Sequence, residues 1–325
     1  MLEEIKEDKE KKKENIWNFK LGALNLESIL TPWYITGITD GEGSFQITIQ
    51  NVKKKREISF KPRLEFKITQ KNYSLGMLYE IKKYFKCGRI HIDNSKTGTM
   101  KYVITNINDL TNKVIPHFDK YNLKTSKFLN YKDFKKAVLL MNEKNHLKKD
   151  GIDKLRNIKS YMNKARSFKD KFNYCWSKTI NIESEWLQGF VDGEGSFQCE
   201  IGFTKRMKLN SYVNFSLQIQ QSKHDVAILY AIQRFFQSGY LKPKYNIKDI
   251  NTTKLISRNV TALWIRNVEL ICNFFDLYPI YTVKRLDYLD WKRLIELKKI
   301  NAHKTREGLL LMRKIKSGMN NNRYK

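Results

Sequence analysis

Two glutamates, Glu42 and Glu194, sit inside the same hexapeptide, DGEGSF, found at Asp40–Phe45 and again at Asp192–Phe197. The copies lie 152 residues apart in a 325-residue chain of formal net charge +29. Carboxylates among glycines, repeated in an otherwise basic chain, suggest cations held against a polyanion. Hard oxygen donors suit Mg²⁺. Two or more such ions beside a phosphodiester can activate water and stabilise the leaving oxygen. Glu42 and Glu194 are therefore the candidate metal ligands and catalytic acids, with Gly41 and Gly193 as candidate backbone ligands. For one copy, a plain helix stop and turn is the better explanation of the motif; two copies flanked by matching glycines weigh against it. An EF-hand loop does not fit. It needs Gly at position 6 and Glu at position 12, where this sequence has Phe45 and Asn51.

Each motif must be carried by a helix. Gly37 and Gly41 are four residues apart, as are Gly189 and Gly193. Residues at that spacing share one helix face. Glycine costs a helix roughly 1 kcal/mol relative to alanine, so two matched pairs predict two helices packed closely across a pseudo-twofold axis. That packing would bring Glu42 and Glu194 together at the negative ends of both helix dipoles, an arrangement a divalent cation relieves. Thr31 is the expected N-cap of the first helix, with Pro32 at its first position.

Strand-period alternation follows each motif. Phe45, Ile47 and Ile49 alternate with polar residues, as do Leu64, Phe66 and Ile68; Phe197, Cys199, Ile201 and Phe203, then Val213, Phe215, Leu217 and Ile219, do so in the second half. A helix is expected around 74–85, a hairpin at 89–105 turning at 94–98, and two helices at 108–121 and 125–143. The second half repeats the order. LEFKITQ at Leu64–Gln70 matches FSLQIQQ at Phe215–Gln221, and FKCG at 85–88 matches FQSG at 236–239. Thr125 and Lys127 match Thr282 and Lys284; Met162 and Asn163 match Met319 and Asn320. The expected fold is α+β: two pseudo-twofold-related αββαββα repeats, each with a four-stranded antiparallel sheet, one face on helices and the other polar and basic. The domains read as a charged N-terminal extension at 1–28, a first repeat at 29–164, a linker at 165–182 and a second repeat at 183–325.

The 62 Lys and Arg against 33 Asp and Glu point to nucleic acid. No apolar stretch approaches the ~18 residues of a spanning helix, so no membrane partner is expected. The N-terminus is charged throughout and too acidic for a transit peptide, so an organellar location would require synthesis inside the organelle. The four cysteines show no CxxC spacing, which suggests neither zinc nor disulfides.

The pair ITGITDGEG (Ile35–Gly43) and LQGFVDGEG (Leu187–Gly195), with the duplication and the strands after it, resembles the single-chain, two-repeat LAGLIDADG homing endonucleases of fungal mitochondrial introns. The resemblance spans roughly 29–325. It implies a saddle of paired sheets on duplex DNA, a metal-dependent endonuclease with Mg²⁺, a monomer, and an organelle-encoded protein of the mitochondrion. It places the family's metal-binding acid on Glu42 and Glu194, and ranks Asp40 and Asp192 second, as structural groups at the helix ends. The polar residue closing the second strand falls on Gln70 and Gln221. The active-site lysine falls on Lys124, whose counterpart, Tyr281, departs from the pattern; Lys127 and Lys284 are the nearest matched basic pair. A solvated surface lysine is the competing reading of Lys124.

On the saddle, alternation puts Gln46, Thr48, Gln50, Arg63, Glu65 and Lys67 on the DNA-reading face of the first repeat. Gln198, Glu200, Thr204, Asn214, Ser216 and Gln218 take that face in the second. Arg and Lys favour guanine there, Asn and Gln adenine. The sets differ, so the expected DNA site is asymmetric. Lysine-rich runs at 53–56 and 205–208 read as phosphate contacts or solvated surface.

The same resemblance admits a second function, an RNA-binding maturase that helps its host intron splice. A PD-(D/E)xK nuclease is suggested only by Glu65-Phe66-Lys67, whose second-repeat equivalents are Ser216 and Gln218. A structural basic protein, such as a ribosomal component, leaves the glycine pairs and the duplicated acids without a role.

Overall fold

A computed structural model of the chain describes residues 30–320 and 323, apart from 55–56, 149, 207–208 and 245–259. The extension at 1–28, part of each lysine-rich run and the tip of the last hairpin fall outside the described residues.

Helix α1 (Pro32–Glu42) begins as its sequence dictates: Thr31 Oγ1 accepts from the Tyr34 N–H at 3.2 Å, with Pro32 next in line. It runs directly into β1 (Gly43–Lys54), which pairs antiparallel with β2 (Glu57–Lys71). Helix α2 (Leu75–Phe85) and the hairpin β3 (Arg89–Asn94) and β4 (Thr99–Ile104) follow. Next come α3 (Ile115–Lys120), entered through a wide π turn at Leu110–Val114, α4 (Lys127–Asn142) and α5 (Gly151–Ser160). The sheet order is β1-β2-β4-β3.

The second half restates this order with α7 (Ser184–Glu194), β5 (Gly195–Phe203), β6 (Ser211–Ser222), α8 (Val226–Phe236), β7 (Tyr240–Lys244) and β8 (Val260–Ile265). Helices α9 (Val268–Leu277), α10 (Lys284–Lys299) and α11 (Arg306–Ser317) complete it, and the sheet order is β5-β6-β8-β7. Each half has its own apolar core beneath its sheet. Phe45, Phe66, Phe118 and Phe134 centre the first; Phe197, Phe215, Phe275 and Trp291 centre the second. Burying each such ring is worth several kcal/mol.

Matched asparagines close the two halves. Asn163 Nδ2 donates to the Phe45 carbonyl and Asn320 Nδ2 to the Phe197 carbonyl, and both residues take a left-handed φ of 56°. The stretch expected as a linker carries a helix of its own, α6 (Phe168–Trp176), capped by Ser167. The segment touches both halves: Cys175 and Ile180 pack into the second core, while Arg166 pairs with Asp133 and Tyr174 stacks on Phe128 of the first. Among the described residues, no helix is long and apolar enough to cross a membrane.

Candidate active site

Helices α1 and α7 cross where their glycines meet. A Cβ on Gly37 would lie 2.0 Å from the Trp186 carbonyl oxygen, and one on Gly189 would lie 2.3 Å from that of Tyr34. No side chain fits there, so the backbones touch. One turn further on the helices separate slightly. A Cβ on Gly41 would sit 3.5 Å from the Gly193 Cα and 3.4 Å from Glu194 Cγ; on Gly193 it would sit 3.3 Å from Glu42 Cγ. Each glutamate thus packs on the other repeat's glycine, and the crossing delivers both carboxylates to one place as the last residues of their helices.

The pair is electrostatically tense. Burial raises the Glu42 carboxyl above its ordinary range; burial and then the Glu42 charge push Glu194 up to about 6. Two ammonium groups answer this. Lys127 Nζ donates to the Thr39 and Gly41 carbonyls at 2.8 and 3.1 Å, and Lys284 Nζ to those of Val191 and Gly193 at 2.9 and 3.0 Å. Both lysines end the helices favourably, cations at the negative pole, and the charge of each bears on both glutamates. Burial lowers both lysine pKa values, and the carboxylates pull them back up. Gln221 lies beside Glu194 and favours its charged form. Gln70 closes β2 two residues past Ile68, the partner of Gly43, which puts it at the same end of the first sheet.

The motif aspartates have a different task. Asp40 accepts from the Lys124 N–H, from the Thr125 N–H and hydroxyl, and from Trp186 Nε1 of the other repeat. Asp192 accepts from the Tyr281 and Thr282 N–H groups, from the Thr282 hydroxyl, and from the Tyr34 hydroxyl of the other repeat. Both are buried and fully occupied, in keeping with a structural role.

Lys124 does not reach the carboxylates. Its N–H is held by Asp40, and its side chain turns toward Glu183 at the start of α7, pairing at 2.6 Å, with Nζ 4.7 Å from the Trp33 ring centre. That is the opposite end of the helix pair. The residues placed by the carboxylates are Lys127 and Lys284. Their sequence signal is the duplication: Lys127 and Lys284 repeat, whereas Lys124 and Tyr281 do not.

On the open face of the first sheet, Gln46 lies opposite Glu65 and Thr48 opposite Arg63; Lys67 pairs with Ser44 and Gln50 with Lys61. Thr48, Gln50 and Arg63 are exposed, while Arg63 donates to Glu65 at 3.1 Å. In the second sheet Glu200 and Asn214 are exposed partners, Glu200 accepting from Tyr212, and Gln198 is half-buried. Thr204 lies just past β5. Ser216 and Gln218 depart from the expected exposure, at 6% and 4%. Trp264 lies directly opposite Gln218 on β8.

Oxygen donors converge at the helix ends: two carboxylates and the Gly41 and Gly193 carbonyls, which keep a second lone pair beyond their lysine bonds. This set fits a hard divalent cation. Among the described residues no three acidic, His or Cys side chains gather as a complete metal cage, so water or a phosphate oxygen would have to complete the coordination.

A family profile described as LAGLIDADG endonuclease matches residues 35–138 and 187–295. Two relatives from Neurospora crassa are named probable intron-encoded endonucleases. Number 3 is 30% identical over 302 residues, covering 89% of this chain and 54% of the relative; number 2 is 29% identical over 311 residues, covering 89% and 65%. The chain thus spans about half to two thirds of their length. Among solved structures, the I-SmaMI LAGLIDADG homing endonuclease bound to cleaved DNA superposes with a TM-score of 0.77 at 28% identity, covering 90% of this chain and 98% of that one. A further structure of it, bound to uncleaved target in the presence of calcium ions, covers 90% and 99% at a TM-score of 0.76 and 28% identity.

Proposed function

This chain belongs to the LAGLIDADG endonuclease family, and from that premise we propose that it hydrolyses both strands of an asymmetric duplex DNA site with divalent cations. The observation that carries the reading is the pairing of Glu42 with Glu194 between Lys127 and Lys284. The two carboxylates and the glycine carbonyls would hold Mg²⁺, which when bound activates water and polarises the phosphodiester. Lys127 and Lys284 fix the helix ends and offset negative charge where a phosphate arrives. Gln221 orients the Glu194 carboxylate, and Gln70 stands at the matching strand end. The unequal side chains of the two open faces read unequal half-sites, and the fused repeats act as a monomer. The names of the relatives support a fungal mitochondrial intron as the source.

The test is a duplex spanning the intron-free junction of the host gene, incubated with Mg²⁺, with Ca²⁺, and with the Glu42→Gln protein. A double-strand break confined to wild type with Mg²⁺ is expected. Full activity in Glu42→Gln would remove Glu42 from the reaction.

One observation favours a second reading, binding of the host intron RNA. Phe168, Phe172 and Trp176 of α6 and Tyr230 of α8 form a line of rings, 36–49% exposed, with neighbouring centroids 5.7–5.9 Å apart. Exposed Lys169 and Arg234 flank it in sequence. Such rings stack on unpaired bases, which an intact duplex does not offer. Splicing of the host intron that is unchanged by Phe172→Ala with Trp176→Ala would dismiss this reading.

A further inference from the structure

Each active-site lysine opens a helix whose preceding residue is held by the other repeat, and the two holds are unequal. Before Lys127, Ser126 donates twice to Asp225 of the second repeat, from N–H to Oδ1 at 2.7 Å and from its hydroxyl to Oδ2 at 3.0 Å. Asp225 is itself fixed by Cys175 Sγ of α6 at 2.9 Å and by His224 Nε2 at 3.2 Å. Before Lys284, Val283 donates only its N–H, to Ser74 Oγ of the first repeat at 3.4 Å. Ser74 and Asp225 occupy matching places before α2 and α8, as do Ser126 and Val283 before α4 and α10. One half-site therefore has a two-bond carboxylate bracket, and the other a single long bond to a hydroxyl. Bonds to an ionised acceptor are shorter and about twice as strong as neutral ones, so Lys127 is held the more firmly.

We propose that Asp225 is a positioning residue for Lys127 and that the unequal brackets make the protein cut its two DNA strands at unequal rates, the strand at the Lys127 half-site first. The proposal rests on the endonuclease reading. A positioned ammonium needs no reorganisation when charge develops on the phosphate, and small displacements of such groups cost large factors in rate. The Lys284 half-site, less constrained, follows.

The experiment labels each strand of the intron-free junction duplex with a different dye and follows both nicks in one tube under single-turnover conditions with Mg²⁺. Wild type is expected to nick one strand ahead of the other by about tenfold. Asp225→Ser, which copies the weaker bracket, should bring the ratio toward one by slowing the faster strand alone. Ser126→Ala, which deletes only the hydroxyl bond, should move it the same way and guards against a folding failure of Asp225→Ser. Ser74→Asp with Val283→Ser should speed the slower strand. Equal nicking by wild type, or variants that slow both strands together, would overturn the proposal while the endonuclease reading stands. A wild type that cuts neither strand would remove both.

Discussion

Tyr34 and Trp186 hold equivalent places in the two repeats, and each donates to the aspartate at the end of the other's helix: Tyr34 to Asp192 at 2.6 Å and Trp186 to Asp40 at 2.9 Å. The helix crossing is thus sewn twice, by exchanged bonds to buried carboxylates. Burial, and then the Asp192 charge, push the Tyr34 hydroxyl pKa well up, so it stays a neutral donor. A hydrogen bond to a charged group contributes about 1.5–3 kcal/mol. Tyr34→Phe should therefore cost about that much in urea unfolding, with little effect on the carboxylate pair two turns further along the helix. A change inside about 0.5 kcal/mol, the range of ordinary surface substitutions, would show that the bond adds nothing to the crossing.

The lysines separate by position. Lys127→Met and Lys284→Met should each lower single-turnover cleavage by about a hundredfold or more, the usual loss for one preorganised electrostatic group. Lys124→Met breaks the pair with Glu183 far from the carboxylates. It should lower the melting temperature and leave cleavage by the folded protein near wild type. The reverse ranking would return Lys124 to the active site.

That reassignment marks how far the sequence could be read. The duplication, the glycine pairs and the alternating strands are local patterns, and they set the helix crossing and both sheet faces. Lys124 and Lys127 lie three residues apart, and no local pattern says which faces the glutamates. Asp40 decides, by capturing the Lys124 N–H and the Thr125 side chain so that the chain turns and α4 starts with Lys127 aimed at the helix end. Ser216 and Gln218 escaped for a similar reason. Strand parity gives the face, but the neighbouring strand that sets burial there, with Trp264 opposite Gln218, comes from more than forty residues away. The same holds for Cys175 of α6, whose partners in the second core are distant in sequence.

The glycines should also differ. At Gly37 an added methyl meets the Trp186 carbonyl oxygen at 2.0 Å, so Gly37→Ala must push the helices apart. It should cost about 1–3 kcal/mol or more. At Gly41 the nearest atoms are 3.4 and 3.5 Å away, tight or ordinary contact, and alanine regains roughly 1 kcal/mol of helix propensity. Gly41→Ala should therefore keep near-native stability while crowding Glu194 and slowing cleavage. Melting curves and cleavage rates on the same samples separate the two; equal destabilisation would contradict the spacing seen at Gly41.

The raised Glu194 carboxyl predicts how pH and divalent cations interact. With its pKa at about 6 against an ordinary 4.5, the folded metal-free protein keeps a proton that the unfolded chain releases. Its contribution to stability is full below pH 4.5 and is lost as pH rises through 6, by roughly 2 kcal/mol from the shift. A cation held by the carboxylate pair would take the place of that proton. Ca²⁺ should therefore raise the melting temperature clearly at pH 7.5 and little at pH 5. His117 complicates the bare pH profile, because burial holds its pKa down at about 3. Its contribution has the opposite sign, present above the ordinary 6.5 and lost as pH falls below it. Comparing wild type with Glu194→Gln at each pH cancels the His117 contribution, since both proteins carry it. In that comparison the Ca²⁺ response should vanish with the carboxylate, and the metal-free difference in stability should close as pH falls to 4.5. A Ca²⁺ response of equal size at both pH values, or one that survives Glu194→Gln, would mean that the cation binds elsewhere.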